Sequence, residues 1–270
     1  MLDAQITITL VGLVIGIILA FTGAGGSIVA LPILMFTLGL SPQQAAPIVL
    51  IALFIASSIG AIQGLRNGTV RYKAALLIAS FGMLVAPLGV YLAHRSSNTL
   101  LTIILVLVLL FVAFRMWQQA TTVKPDNNNN ASPACAINPV SSKLFWTASC
   151  TKRLMITGSV AGLLSGLLGV GGGFFIVPSL YKISNLNSQN IVNTTLAIIA
   201  LVSVSSVASY WQHAEINWSL AIPFVISTTV AMLVLSPLQH KVPTEISKKG
   251  FALLCMLAAL ALIIQVILTF

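Results

Sequence analysis

One block of this sequence occurs twice, at a constant separation of 146 residues. The shared positions are five glycines and a proline: Gly12, Gly16, Gly23, Gly25, Gly26 and Pro32 in the first copy, and Gly158, Gly162, Gly169, Gly171, Gly172 and Pro178 in the second. Glycine accounts for 19 of the 270 residues. This is close to the usual share of about 7%, so five coincidences at one offset are not an effect of composition. An internal duplication is therefore the simplest explanation, and the fold must accommodate the same glycine-rich unit twice.

Both copies lie in sequence that is too apolar for a soluble globule. Hydrophobic residues make up 58% of the chain and charged residues 6%, with a mean hydropathy of +1.04. Several apolar runs reach the ~20 residues that a helix needs to cross a bilayer. The runs cover residues 5–22, 27–40, 45–65, 74–93, 98–116, 154–168, 174–184, 190–211, 218–237 and 249–269. We therefore predict an all-α integral membrane protein with about five helical segments in each half.

A polar tract separates the two halves. Residues 117–153 contain three prolines and a run of asparagines at 127–130, a composition typical of a linker. We therefore divide the chain into a membrane repeat over residues 1–116, a polar cytoplasmic linker and a second membrane repeat over residues 154–270. Asp3 is the only charge before the first apolar run, so we expect that run to be a retained helix and not a cleaved signal.

Positive residues orient the two halves, because short loops rich in Lys and Arg stay on the cytoplasmic side. Basic loops lie at 66–73 and 240–249, and the linker is basic as well. The loops at 94–98 and 212–217 carry little positive charge. The order of basic and non-basic loops is thus reversed between the halves, which predicts two inverted-topology repeats. Both termini are then expected on the non-cytoplasmic side of a bacterial plasma membrane.

The first two segments of each half are expected to form a hairpin with the repeated glycines at its tip. The run at 174–184 corresponds to about 16 Å of helix at 1.5 Å per residue. This is too short for the ~30 Å of a hydrocarbon core, which favours a re-entrant hairpin. A pair of full but tilted helices stays open as an alternative, above all in the first half, where the run at 27–40 is longer.

The glycine tips are the strongest candidates for a binding site. Glycine lets backbone N–H groups approach a ligand, and a helix that begins there directs its positive dipole end at the same point, so an anion is held without a formal charge. We assign substrate binding to Gly23, Gly25, Gly26 and Ser27 in the first half and to Gly169, Gly171, Gly172 and Gly173 in the second, with Pro32 and Pro178 as structural hinges. The glycines at 12, 16, 158 and 162 are expected instead to let helices pack closely.

A Gly-x-Gly-Gly tip followed by an apolar run with proline, present twice in a chain of this size, resembles the TauE/SafE family of anion permeases. The family is also called the sulfite exporter or toluene sulfonate uptake permease family. The likeness extends over both halves and includes the segments Gly68-Thr69-Val70-Arg71-Tyr72 and Ala214-Glu215-Ile216-Asn217-Trp218, which lie at the same offset. The resemblance implies a transporter of sulfite, sulfonates, sulfoacetate or related organic anions.

Polar side chains within the apolar runs are the second group of candidates, since each is costly in lipid unless it faces a partner or a cavity. Ser57 and Ser203 are separated by the repeat offset, and we add both to the substrate-binding residues together with Asn193 and Thr194. The last two have an equally plausible structural interpretation. The first half has Pro47-Ile48-Val49 where the second has Asn193-Thr194-Thr195, and Ser27 where the second has Gly173, so the two half-sites are not expected to contribute equally.

Other chemistries lack their residues in this sequence. All four acidic residues lie outside the apolar runs, no Walker or HExxH motif occurs, and the three cysteines show no CxxC pairing. We therefore expect no cofactor, metal site, disulfide framework or enzymatic activity. The expected partners are a small anion and the lipid bilayer, without nucleic acid, and a homo-oligomer is compatible with them. A membrane enzyme or a scaffold that does not transport are the alternative functions.

Overall fold

The computed structural model describes residues 2–22, 26–121, 135, 147–184, 186–211, 216–236 and 244–269. Within these ranges the chain forms ten α-helices, with no strand beyond an isolated bridge between Cys135 and Ser184. The helices are α1 (Leu2–Thr22), α2 (Ser27–Leu38), α3 (Pro42–Arg66), α4 (Tyr72–Arg95), α5 (Asn98–Thr121), α6 (Ala148–Leu168), α7 (Gly173–Ile183), α8 (Ser188–Trp211), α9 (Trp218–Leu235) and α10 (Thr244–Thr269). The predicted all-α class is confirmed, and each predicted apolar run corresponds to one helix.

Five helices are long and apolar enough to cross a membrane, counting only the described residues: α3, α4, α5, α8 and α9. Their outer faces carry large apolar side chains that are mostly exposed, such as Leu84, Leu107 and Val234. Such faces are suited to lipid, since an apolar surface of this extent is not stable in water. The chain is therefore an integral membrane protein.

Local sequence signals set several helix ends. Ser41 caps α3 through a reciprocal pair with Gln44, in which each side chain accepts a hydrogen bond from the backbone N–H of the other residue. Thr147 caps α6 by accepting from the N–H of Cys150. Gly39 ends α2 in the left-handed conformation at φ +63°, where a side chain would be strained.

Helix α6 packs closely along α4 through glycines of the repeated block. A Cβ on Gly158 would collide with the carbonyl oxygen of Ile78, and a Cβ on Gly162 with that of Gly82. Only glycine permits this backbone approach. Because both contacts advance by four residues in the same direction, α6 runs parallel to α4.

The equivalent glycines of the first half make the equivalent contacts. A Cβ on Gly12 would lie 2.9 Å from the carbonyl oxygen of Phe224, and a Cβ on Gly16 would collide with that of Thr228. These contacts also advance by four residues in one direction, so α1 runs parallel to α9. The prediction that these glycines let helices pack closely is confirmed at all four positions.

Helices α3 and α8 cross at the centre and are the most buried of the five long apolar helices. A Cβ on Gly60 would lie 2.8 Å from Cδ1 of Leu196, and a Cβ on Gly64 would lie 2.9 Å from Cβ of Asn193. Later positions of α3 thus meet earlier positions of α8, so the two helices are antiparallel.

The predicted linker lies mostly outside the described residues. Helix α5 continues to Thr121 and α6 already begins at Ala148, both inside the bounds expected for the linker. The expectation of no disulfide is wrong, because Cys135 and Cys150 are joined with their Cα atoms 5.1 Å apart. The pair escapes a search for CxxC spacing because its cysteines are 15 residues apart in sequence.

Candidate functional site

The turn between α6 and α7 is built from glycines in the left-handed conformation. Gly169, Gly171 and Gly172 have φ values of +69°, +69° and +65°, which favour glycine over any residue with a side chain. Close packing also requires glycine here, because a Cβ on Gly169 would collide with Ala46, and a Cβ on Gly172 with the carbonyl oxygen of Ala161. The repeated glycines thus bring this turn into direct contact with surrounding helices.

Gly171 faces the crossing of α3 and α8. A Cβ on Gly171 would lie 3.0 Å from Cδ1 of Leu53, 3.2 Å from Cγ2 of Ile199 and 3.7 Å from Oγ of Ser203. Leu53 lies one helical turn before Ser57 on α3, and Ile199 lies one turn before Ser203 on α8, so each serine is on the same face of its helix as an apolar neighbour of Gly171. The structure therefore brings the predicted residues Gly171 and Ser203 together, with Ser57 one turn from their contact.

Both serine hydroxyls at this crossing are buried and have no hydrogen-bond partner among the described residues. The side chains of Ser57 and Ser203 are 0% exposed, and neither Oγ has a hydrogen bond within the part of the chain that the structure describes. Leaving a buried hydroxyl unsatisfied costs about 1–3 kcal/mol. Such a pair in a native fold requires an explanation, and a bound ligand supplies one.

Neighbouring serines on the same helix behave differently. Ser206 Oγ lies 3.2 Å from Oγ of Ser165, and Ser205 donates to the carbonyl oxygen of Met83 at 2.9 Å. These hydroxyls connect α8 to α6 and α4. On α8, the hydroxyl without a hydrogen bond among the described residues is thus that of Ser203, at the crossing; two further such hydroxyls, those of Thr228 and Thr229, lie on α9.

The crossing carries no formal charge. Among the described residues, the buried polar side chains are serines and threonines, apart from Tyr210, whose hydroxyl donates to the carbonyl oxygen of Gly166. The first residue of α7, Gly173, is buried, and its N-cap Gly172 provides no side-chain hydrogen bond. Helix α7 therefore begins beside the crossing with its positive dipole end and its first N–H groups, which have no partner within the helix itself. The polar groups near the crossing are uncharged hydrogen-bond donors and acceptors.

The tip of the first half is described only in part. Gly23 and Gly25 lie outside the described residues. Gly26 caps α2 in the right-handed conformation, with φ −56° where Gly172 has +65°, and Ser27 is fully buried. The two tips therefore differ in backbone conformation as well as in sequence.

Pro32 and Pro178 are the sixth residues of α2 and α7. Both prolines are thus inside short helices, as their equal spacing from the tips predicts. Their role as hinges stays a prediction.

Asn193 and Thr194 lie away from Ser203, about 15 Å along α8 at 1.5 Å per residue. Asn193 Nδ2 donates to Oγ1 of Thr69 at 2.7 Å, and the backbone N–H of Arg71 donates to Oγ1 of Thr194 at 3.0 Å. The four residues form a polar cluster, which we call the latch, where the connection from α3 to α4 meets the start of α8.

Sequence reasoning does not select Thr69 and Arg71 as site residues. Their partners are 124 and 123 residues away along the chain, so no local spacing reveals the hydrogen bonds. The one available signal is the repeat offset, which pairs Arg71 with Asn217 and Thr194 with Ile48 and so marks both positions as places where the halves diverge.

A bundle of long apolar helices around a glycine-lined, uncharged crossing defines a polytopic membrane protein of the kind that moves solutes. The profile of the family described as Sulfite exporter TauE/SafE matches residues 8–262. The chain belongs to this family, as the repeated glycine tips predict.

Several bacterial proteins similar to this chain are named as probable membrane transporters. The chain is 27% identical to a "Probable membrane transporter protein" of Xylella fastidiosa (strain Temecula1), over 80% of this chain and 77% of the relative. It is 26% identical to "Probable membrane transporter protein YdhB" of Bacillus subtilis (strain 168), over 95% and 99%. It is 30% identical to "Probable membrane transporter protein y4hK" of Sinorhizobium fredii, over 66% and 67%. No solved structure matches this chain.

Proposed function

We propose that this protein is a secondary transporter of small anions, with sulfite, sulfonates or related sulfur-containing organic anions as substrates. The observation that carries the proposal is the pair of buried, unpartnered hydroxyls of Ser57 and Ser203 beside the Gly171 turn. An anion that accepts hydrogen bonds from both hydroxyls and from backbone N–H groups of the turn satisfies groups that the protein alone leaves unsatisfied. The choice of sulfur oxyanions rests on the family description.

Transport explains the site better than catalysis does. Among the described residues, the side chains nearest to Gly171 are those of Leu53, Ile199 and Ser203, and none of these can act as the general base or acid that would activate a serine. We therefore assign no enzymatic activity and no cofactor to the protein. Its proposed partners are the anion and the bilayer, without nucleic acid, and self-association through lipid-facing helices is compatible with the same function.

We further propose that the halves are inverted repeats. Gly158 packs on Ile78 while Gly12 packs on Phe224, and positions 78 and 224 are also 146 residues apart. Each half thus presents its first helix to the fourth helix of the other half. The antiparallel crossing of α3 and α8, together with the parallel pairs α4–α6 and α1–α9, supports opposite directions for equivalent helices.

The glycine-tipped hairpins are proposed to reach only part of the way through the membrane. Helix α2 has 12 residues and α7 has 11. At 1.5 Å per residue these helices are about 18 and 16 Å long, against ~30 Å of hydrocarbon. Broken helices that end near the midplane are a known way to place a solute site between two repeats.

The positive residues support a cytoplasmic linker and non-cytoplasmic termini in a bacterial plasma membrane. Among the described residues, most Lys and Arg lie at one set of helix ends: the ends of α3, α5 and α7 and the starts of α4, α6 and α10. The helix ends on the other side of the membrane carry Arg95. The basic positions are Arg66, Arg71, Lys73, Arg115, Lys152, Arg153, Lys182 and Lys249. The disulfide between Cys135 and Cys150 argues for the reverse orientation, because the cytosol keeps thiols reduced.

A flux assay tests the function and the site together. The purified protein in liposomes is expected to give saturable uptake of sulfite down a gradient. Ser57→Ala and Ser203→Ala should each raise the KM for sulfite by roughly tenfold or more, because a hydrogen bond to a charged group contributes about 1.5–3 kcal/mol. Neither substitution should lower the thermal stability of the empty protein, since each removes an unsatisfied buried group.

Ser206→Ala is the matched control on the same helix. It removes the contact with Ser165, so it should lower the free energy of unfolding by about 1 kcal/mol and leave the KM unchanged. Liposomes that show no saturable flux of sulfite or of a simple sulfonate would contradict the transport function. Saturable flux with wild-type KM in both serine variants would contradict the site.

A further inference from the structure

The two ends of the α3–α8 pair have different structures although they occupy equivalent positions in the two halves of the repeat. One end holds a cavity of about 360 Å³ lined by Leu40, Gln44, Ile48, Ile216 and Asn217. We call this cavity the vestibule. At the other end, the repeat offset places Leu186, Asn190, Thr194, Val70 and Arg71 at the corresponding positions. That end contains the latch.

The latch closes its end with hydrogen bonds between the halves. Thr69 and Arg71 follow the last turn of α3, and Asn193 and Thr194 lie in the second turn of α8. The bonds of 2.7 Å from Asn193 to Thr69 and 3.0 Å from Arg71 to Thr194 therefore fasten the first half to the second.

The vestibule cannot form the same bonds because its residues differ. Ile48 stands at the position of Thr194, so no hydroxyl is available to accept from the backbone N–H of Asn217, the counterpart of Arg71. Pro47 likewise replaces the donor Asn193. The chemical difference between the copies thus coincides with the difference between a closed and an open end.

Arg71 sets the latch apart from an ordinary structural contact. Its side chain is half-buried, and its Nε is buried without a hydrogen bond among the residues the structure describes. An unsatisfied guanidinium N–H is costly in a contact that only stabilises the fold, whereas it is available to an anion once the contact opens.

We infer that the latch, made of Thr69, Arg71, Asn193 and Thr194, is the gate of the transport pathway at its closed end, and that the vestibule is the entrance at its open end. This inference rests on the proposed transport function. Rocking of inverted halves exposes a central site to one side at a time, so the latch must break when the vestibule closes. Asn193 and Thr194 then act at the end of the pathway, whereas Ser57 and Ser203 act at its centre.

Two matched reporters make the gate measurable without any substrate. Leu40 lines the vestibule, and its repeat counterpart Leu186 is buried just before the start of α8, the helix that carries Asn193 and Thr194 of the latch. Leu40→Cys and Leu186→Cys are prepared separately in a background without the native cysteines (Cys135→Ser, Cys150→Ser and Cys255→Ala), and their rates of reaction with N-ethylmaleimide are measured in lipid nanodiscs. In the protein with an intact latch, the cysteine at 40 should react faster than the cysteine at 186.

Weakening the latch should change the two rates in opposite directions. Thr194→Val keeps the side-chain shape but removes the acceptor for the backbone N–H of Arg71. We expect the cysteine at 186 to react about two- to tenfold faster, which is the change in equilibrium that the loss of one hydrogen bond produces. The cysteine at 40 should react more slowly. Asn193→Leu removes the bond to Thr69 and should act in the same direction. Thr195→Val is the control, because among the described residues the Thr195 hydroxyl donates to the carbonyl oxygen of Ile191 in its own helix, at 2.7 Å.

The outcomes separate the gate from the transport function. Unchanged rates at 186 in both latch variants would overturn the inference, and so would faster reaction at both reporters, which indicates general loosening. If the unmodified protein shows no sulfite flux in liposomes, the proposed function is contradicted, but the maleimide reaction rates at positions 40 and 186 still test the gate. Opposite shifts in the latch variants, with none in the control, support the gate.

Discussion

The contacts of the packing glycines are the same in both halves of the repeat, whereas the contacts at the two ends of the α3–α8 pair are not. Gly12 and Gly158 lie against equivalent residues of the opposite half, and so do Gly16 and Gly162. At the ends of the α3–α8 pair, by contrast, Thr194 faces Arg71 while its counterpart Ile48 faces a cavity. The backbone contacts have kept the symmetry of the repeat, and the polar contacts have lost it.

The difference follows from the energetics of the two kinds of contact. A glycine that packs on a backbone carbonyl tolerates no side chain, so both copies of such a position are constrained alike. A hydrogen bond contributes only about 0.5–1.5 kcal/mol net, so one copy can lose it without losing the fold. The asymmetric contacts are therefore suited to break and re-form during transport.

Substitution of the packing glycines should have the largest effect. Gly162→Leu and Gly16→Leu each place a side chain against helix backbone, at Gly82 and at Thr228, and should destabilise the protein by about 3 kcal/mol or more. The measurement is the yield of monodisperse protein in detergent together with its unfolding temperature. Gly250→Leu is the control, because a Cβ there meets nothing within 4 Å. A large loss of stability in one glycine variant with none in the other would show that the two contacts are not equivalent.

Adding a hydroxyl at position 48 of the vestibule should have a moderate effect. Ile48→Thr gives the vestibule a hydroxyl at the position of Thr194, where it can accept from the N–H of Asn217. We expect the cysteine at position 40 to react about two- to tenfold more slowly with N-ethylmaleimide, the range of one net hydrogen bond. Ile48→Val is the control, since it has nearly the same shape without the hydroxyl. Equal rates in the Thr and Val variants would mean that the missing hydroxyl does not hold this end open.

The sequence predicts the helices and the packing glycines well because both depend on simple patterns. The apolar runs give every helix bound to within six residues, and those of the short α2 and α7 to within two. The pairing of Ser57 with Ser203 follows from the same offset, and the structure leaves both hydroxyls buried and unpartnered.

Contacts between residues distant in sequence are what the sequence does not predict. The bond from Asn193 to Thr69 depends on how α3 and α8 cross, and a single sequence contains no signal for that geometry. The pairing of Cys135 with Cys150 depends on the path of the chain between the halves, which composition does not determine.

The cysteine pair should have the smallest effect on transport, and it tests which compartment the latch faces. If the linker is cytoplasmic, Cys135 and Cys150 are kept as thiols in growing cells, so a maleimide-linked polymer should add to both without reductant after denaturation. Cys150→Ser should then change sulfite flux less than about twofold, since an absent disulfide contributes nothing to stability. Buried Cys255 is replaced by alanine for this count.

If the polymer adds only after reduction, the linker faces an oxidising compartment. The proposed orientation is then wrong, and the latch is the outer gate instead of the inner one.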